Sequence, residues 1–504
     1  MPSTVRHSLL NAASTVVSMA AGLVVTVLVA RILGPSGSGL VAFALWAAMS
    51  LSALTDRGVP QTVLRYASAL SGEEEKRLLI GAAYRHFLTL PLVAFVVVAG
   101  IALWFPHAAL LGSPLDTGLG FAGAVLFMFY AFSAFSIAAA RGRGDFVTPA
   151  VNSAIGSLLQ LPLVVIGAVS FGVTGAVVAV AMRYLPQVLQ LPRLVDRRAA
   201  RSTAALTPEM RAYGRDMWIS DLVNIVALTR IEYLVLGIFL TSADMGLFAV
   251  AIVFAGLVEQ LAMQLSSPLV VAFSRASEGE PQKEVSGDKA NAPWQPLIVF
   301  SVLVLPVAFG GAALMPELLP LVFGEAFYEA RLPAMVLLAA SASTGLAVVP
   351  WAYLAAIGEG RLLMRITLGL GAFTVVMLCA AVALAGVGGA AWSRFFTETA
   401  SLFVLLIAAW RHHRLSAMVS ALSRVVVAAL VCGMSAYAVI AVIASPVGIA
   451  PAVVVGALCY GVALRLLRAL PADDILPGAE ALSERLPGLA ERLLLSTVRL
   501  ITHR

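Results

Sequence analysis

Residues 88–103 read LTLPLVAFVVVAGIAL, apolar at nearly every position. A strand of a membrane barrel would alternate apolar and polar residues over about ten positions, and this run does not alternate. It is one of many such blocks, each close to the ~20 helical residues that cross a ~30 Å hydrocarbon core. A helix satisfies its backbone groups within the segment, which lipid requires. The whole chain of 504 residues is 60% hydrophobic and 12% charged, whereas soluble domains hold about 45–50% apolar and about 25% charged residues. A soluble multidomain protein is thereby excluded. The expected fold is an all-α polytopic membrane protein.

The apolar blocks place about fourteen transmembrane helices at 8–30, 39–70, 79–104, 118–140, 147–169, 173–191, 217–240, 245–273, 294–316, 332–357, 363–385, 389–410, 425–444 and 450–467. The amino-terminal stretch MPSTVRHSLLNAAST shows no Ala-x-Ala cleavage site and is read as leading into a first span. Alternate connections collect Lys76, Arg77, Arg141, Arg143, Arg193, Arg197, Arg198, Arg201, Arg211, Arg215, Arg275, Lys283, Lys289, Arg361, Arg411 and Arg414 on one face. The other face holds Arg31 and Arg331 among Glu317, Glu325 and Glu329. The positive-inside rule makes the first face cytoplasmic, with both termini there. The net charge of +6 is then a topology signal, and no nucleic acid is implied. Cys379, Cys432 and Cys459 fall at unrelated spacings inside spans, so neither disulfide framework nor metal site is expected.

Two hydrophilic linkers, 192–216 and 274–293, interrupt the pattern. The expected organisation is an amino-terminal lobe at 1–191 (spans 1–6), a basic cytoplasmic linker at 192–216 and a carboxy-terminal lobe at 217–410 (spans 7–12). An extra helix pair follows at 411–467, then a cytoplasmic amphipathic tail at 468–504. In the tail, Leu482, Leu486, Leu489, Leu493 and Leu500 form one stripe and Arg485, Arg492 and Arg499 another. That pattern suits a helix lying on anionic headgroups. The lobes repeat weakly. SGLVAFA (38–44) lies over MGLFAVA (245–251), and FGVTGAVVA (171–179) over AGVGGAAWS (385–393), at offsets of 207 and 214. A polar turn precedes the second pair each time, RGRGDF at Arg141 and GEGRLL at Gly358. Two parallel repeats predict pseudo-symmetric lobes around a central cavity.

VARILGPSGSGLVAFA followed by DRGVPQTVLRYAS resembles the amino-terminal signature of Wzx-type oligosaccharide flippases, in the multidrug/oligosaccharidyl-lipid/polysaccharide (MOP) exporter superfamily. RIEYLVLGIFLTSADMGLFAVA (230–251) and AIGEGRLLMR (356–365) are similar to later segments of that family. The resemblance implies a flippase carrying an undecaprenyl-diphosphate-linked oligosaccharide from the cytoplasmic to the periplasmic leaflet of a bacterial inner membrane by alternating access. It implies work beside a glycan polymerase or glycosyltransferases, with no cofactor beyond proton or sodium coupling. The neighbouring readings are a lipid II flippase and a MATE-type drug or cation antiporter. Residues 8–30 lack the charged groups that both neighbours tend to carry there.

Ionisable residues inside spans are functional candidates, at ~2.5–3.5 kcal/mol each on insertion scales. Cations suit a diphosphate, so Arg183, Arg230, Arg65, Arg57 and Arg394, with Gln187, are the substrate-binding candidates. Arg183, Gln187 and Gln190 draw one stripe on a helix, and neither Arg183 nor Arg230 has an opposite charge at i±3 or i±4. Asp56, Glu232, Glu259, Asp221 and Glu398 are the ion-coupling candidates. Glu398 stands at i+4 from Arg394, a spacing at which the two can neutralise each other. Asp56, Arg57, Gln61 and Arg65 surround Gly58 and Pro60, which predicts a break in span two. A membrane-embedded glycan polymerase, glycosyltransferase or ligase needs a large polar loop or an interfacial acidic pair. The outer connections here are short, and no nucleophile elbow or phosphate loop is present.

Overall fold

Because intrahelical hydrogen bonds alone satisfy an apolar backbone in lipid, nearly every described residue is helical. The computed structural model describes residues 2–104, 109–110, 113–114, 117–195, 206–223, 231–264, 269, 273, 295–411 and 416–469. Its helices are α1 Pro2–Thr55, α2 Val59–Ala69, α3 Glu73–Trp104, α4 Thr117–Gly142, α5 Val147–Met182, α6 Leu185–Leu194 and α7 Pro208–Val223. They continue with α8 Ile231–Phe239, α9 Ser242–Gln264, α10 Gln295–Phe323, α11 Arg331–Ala356, α12 Gly360–Trp410, α13 Ser416–Ile443 and α14 Ile449–Leu466. One detail departs from an all-helical chain. Between α3 and α4, β1 Ala109–Leu110 pairs antiparallel with β2 Ser113–Pro114.

Among the described residues ten helical segments are long and apolar enough to cross a membrane. Three of them are double lengths. Ser14–Thr55, Val147–Leu194 and Gly360–Trp410 hold 42, 48 and 51 residues, against the ~20 one crossing needs. Each contains a glycine off helical geometry: Gly34, Gly172 and Gly386. These breaks separate the sequence-expected spans 8–30 and 39–70, 147–169 and 173–191, and 363–385 and 389–410. Of expected span seven, residues 224–230 lie outside the described residues, as do the linker at 274–293 and the tail beyond residue 469.

The two later breaks are built alike. Gly172 has φ 58° and ψ −138°, and Gly386 has φ 55° and ψ −133°, a region open in practice only to a residue without Cβ. The chain folds back there, because the backbones on either side touch. A Cβ on Gly175 would overlap the Gly167 carbonyl, and one on Gly389 would overlap that of Ala381. In a straight helix those partners would stand about 12 Å apart. The turns before the hairpins agree as well: Gly144 and Gly358 have φ 85° and 83°. Asp145 N–H bonds to Ala140 O and Glu359 N–H to Leu354 O, both at 3.0 Å. Every pair is offset by 214 residues, the shift at which the sequence repeats.

The earlier repeat is symmetric in another way, since its two copies touch. A Cβ on Gly39 would overlap Ser242 O, and one on Gly246 would overlap Pro35 O. Pro35 and Ser242, like Gly39 and Gly246, are 207 residues apart. Each copy therefore offers its partner the same carbonyl and receives the same glycine, as in a two-fold contact.

Packing divides the chain into two compact units, Met1–Val250 and Ala251–Arg504, so α7, α8 and the start of α9 belong by packing to the first. In that unit α4 is central, packed against α1, α2, α3, α5 and α6. Its buried face is rich in small residues, including Ala124, Ala131, Ser136, Ala139 and Gly142, which let helices approach closely where lipid gives no hydrophobic drive. Phe87, Phe127 and Phe135 fill its core. In the second unit α10 packs against α11, α13 and α14, and α11 against α12. The outer surfaces are apolar. On α3, Val93, Val96, Ile101, Leu103 and Trp104 are all more than half exposed, as expected of a helix facing hydrocarbon.

Candidate functional site

In the first unit the expected break in span two is present. α1 ends at Thr55 and α2 begins at Val59, with Pro60 in its first turn, where no backbone N–H is needed. Arg57 (φ 53°) and Gly58 (φ 67°) turn the chain between them. A left-handed residue with a side chain is strained by about 1–2 kcal/mol, so surrounding contacts must hold Arg57. They come from α7, which crosses the break. A Cβ on Gly58 would overlap the Gly214 carbonyl. Trp218 Nε1 donates to Ala53 O at 2.8 Å, and Gln61 Nε2 donates to Asp221 Oδ2. Asp56 Oδ1 accepts the Gly58 N–H at 2.8 Å.

Two ion-coupling candidates, Asp56 and Asp221, are thus hydrogen-bonded to neutral donors around one helix break. Of the cations, Arg65 lies with its guanidinium 4.4 Å from the Tyr213 ring centroid and 5.6 Å from that of Tyr66, an arrangement that favours a cation electrostatically. Neither Arg57 nor Arg65 makes an ion pair among the described residues. Glu232 is buried on α8, and Arg230, just before it, lies outside the described residues.

Arg183 sits at a second break. The sequence places it within a span, whereas the structure ends α5 at Met182 and starts α6 at Leu185, with Pro186 in the first turn of α6. The Arg183 carbonyl fills the space a Cβ would need at Gly156, on the other arm of the hairpin. Its side chain is half-buried and forms no ion pair among the described residues. The polar stripe drawn with it is engaged by α5. Buried Gln187 bonds to Ser153 Oγ at 3.0 Å, and Gln190 accepts from Asn152 at 2.8 Å.

In the second unit Arg394 is buried on the second arm of α12. Its Nη2 donates to both Glu259 oxygens at 3.1 Å and stands 3.9 Å from Glu398 Oε1. The i+4 spacing pointed to Glu398 as its partner. The closer carboxylate is Glu259, 135 residues earlier, a pairing that no local pattern in the sequence encodes. The Gln61–Asp221 tie and the seat of Arg65 on Tyr213 were hidden for the same reason. Among the described residues no group of three His, Cys, Asp or Glu could hold a metal ion.

Comparison with known proteins places this arrangement. A model of one family, described as polysaccharide biosynthesis protein, matches residues 28–332, more than half of the chain. The chain belongs to the polysaccharide biosynthesis protein family. No curated protein matches the sequence. By fold, this family member is similar to a lipid II flippase, MurJ, in an inward closed conformation. That match has a TM-score of 0.70 and 12% identity, covering 93% of this chain and all of the other. It is also similar to an inward-facing multidrug resistance transporter of the MATE family and MOP superfamily, with a TM-score of 0.53 and 16% identity, covering 81% and 96% of the two chains. At such identities the likeness is one of fold. This polysaccharide biosynthesis protein is accordingly a multi-pass membrane protein with the helical fold of MOP transporters.

Proposed function

We propose that the protein is a flippase. It moves an undecaprenyl-diphosphate-linked oligosaccharide from the cytoplasmic to the periplasmic leaflet of a bacterial inner membrane by alternating access, with both termini cytoplasmic and with glycan-assembling enzymes of the same pathway as partners. The observation that carries this reading is the conjunction of a polysaccharide-biosynthesis sequence with a transporter fold. The buried charges support it. A diphosphate crossing hydrocarbon needs cations whose charge is not already neutralised, and an arginine fork matches phosphate oxygens. Arg183, half-buried at a helix break, fits that role, and Arg230 is the second cation assigned to it. Arg394 is assigned to charge balance, because Glu259 already occupies its guanidinium. The Glu259–Arg394–Glu398 group is where coupling to a proton or sodium gradient would act.

The test is complementation of a flippase-deficient strain, with the lipid-linked intermediate measured in the inner leaflet. Wild type restores the polysaccharide. Arg183→Ala and Arg230→Ala abolish export at normal protein level, and the Lys variants keep part of it. Failure of the wild type to relieve the accumulation overturns the flippase reading. Full function of both Ala variants overturns the assignment of these arginines.

A further inference from the structure

The helix pair α13 and α14 carries all its charge at one end. Residues 416–469 contain three cations, Arg424, Arg465 and Arg468, and no carboxylate. Arg424 Nη1 donates to the Arg468 carbonyl at 3.0 Å, so the start of α13 meets the end of α14 there. Both arginines are exposed, and neither makes an ion pair among the described residues. The backbone under Arg468 is strained. α14 closes in a Schellman turn, with Ala469 N–H on Leu464 O at 3.0 Å and Arg468 N–H on Arg465 O at 3.2 Å. The same turn closes α4 and α11, where the left-handed residue is Gly144 or Gly358. At α14 that residue is Arg468, with φ 50°, a region that disfavours any Cβ. Capping explains Arg424, whose bond satisfies a terminal carbonyl. It does not explain a second arginine on the residue where glycine fits best.

The surroundings supply a reason. α14 has 18 residues, about 27 Å of helix, close to the ~30 Å of a hydrocarbon core. Arg468, just past its end, therefore stands at headgroup level. From there Leu466, Val462, Leu458 and Val454 run down α14 at intervals of four, each more than half exposed. That stripe is about 18 Å long, close to the ~15 Å depth of one leaflet's hydrocarbon. We infer that Arg424 and Arg468 hold the phosphodiester of an anionic glycerophospholipid, with its acyl chains along this stripe. Two guanidinium forks offer charge-assisted donors to the phosphate oxygens, and cations beside a membrane span attract anionic headgroups. A zwitterionic lipid brings its own cation and gains less. The site lies on the exposed apolar surface of the helix pair and does not rest on the flippase reading.

The test uses the full-length protein in detergent, with phosphatidylglycerol or phosphatidylcholine added and bound lipid counted by native mass spectrometry. Wild type is expected to retain phosphatidylglycerol about tenfold over phosphatidylcholine, and Arg424→Gln with Arg468→Gly to lower that preference to about twofold. Arg361→Gln, at the start of α12, leaves it unchanged. Arg468→Gly alone separates binding from folding, because glycine suits the left-handed turn. Its thermal midpoint without lipid is expected at or above that of wild type, while the rise that phosphatidylglycerol gives wild type shrinks. Equal retention of the two lipids by wild type, or an undiminished preference in the double variant, overturns the site. Displacement of phosphatidylglycerol by undecaprenyl phosphate at equal concentration overturns the assignment to a glycerophospholipid and makes the pair a contact for a polyprenyl carrier.

Discussion

The hairpins α5 and α12 share a backbone and differ in chemistry. Their glycine turns agree within about 5°, and the turns leading into them match in φ and in hydrogen bonds. After the fold-back they diverge. Pro186 sits in the first turn of α6 just beyond Arg183, whereas Ala400, the residue 214 positions later, lets α12 run on to Trp410. The broken arm presents Arg183 without a carboxylate partner among the described residues. The continuous arm buries Arg394 against Glu259 and Glu398. Repeated glycines thus conserve the scaffold, and substitutions between them decide whether a buried cation is available or neutralised.

The strongest test of the shared scaffold is to fill the close approach. Gly175→Val and Gly389→Val each drive a side chain into a backbone carbonyl across the hairpin, where no rotamer change relieves the overlap. Each is expected to cost about 3 kcal/mol or more and to remove most monodisperse protein on size-exclusion chromatography in detergent. A large loss at one position with none at the other would break the equivalence.

The divergent chemistry is tested by truncating the arginines. Arg394→Ala leaves two carboxylates in a low-dielectric setting without their cation and is expected to destabilise by about 3–5 kcal/mol. Adding Glu259→Gln should recover part of that loss. Arg183→Ala removes no ion pair, so its thermal midpoint should stay within a few degrees of wild type while export is lost. Equal midpoints for Arg394→Ala and Arg183→Ala would erase the distinction.

The smallest effect sharpens the comparison at the turns. Gly144→Ala and Gly358→Ala place a Cβ at positive φ but in open space. Each is expected to cost about 1–2 kcal/mol from backbone strain alone. Differential scanning fluorimetry should find the two shifts alike, and a marked difference would reveal a contact at one turn that the other lacks.

Sequence alone determined the class of this protein. Long uncharged runs cannot be buried by a soluble fold, and lipid admits only helices or barrels, so apolar helical spans followed from composition. The breaks at Gly58 and Gly172, the register of the repeats and the family resemblance were also legible, because each depends on neighbours within a few residues or on a fixed offset. Tertiary structure decided which charges meet. Arg394 took Glu259 rather than the adjacent Glu398 as its closer partner, across 135 residues, and Asp221 took Gln61, across 160. The physical reason is that electrostatic and hydrogen-bond partners are chosen by distances of about 3–4 Å in space, and helix periodicity reports only the face on which a side chain lies.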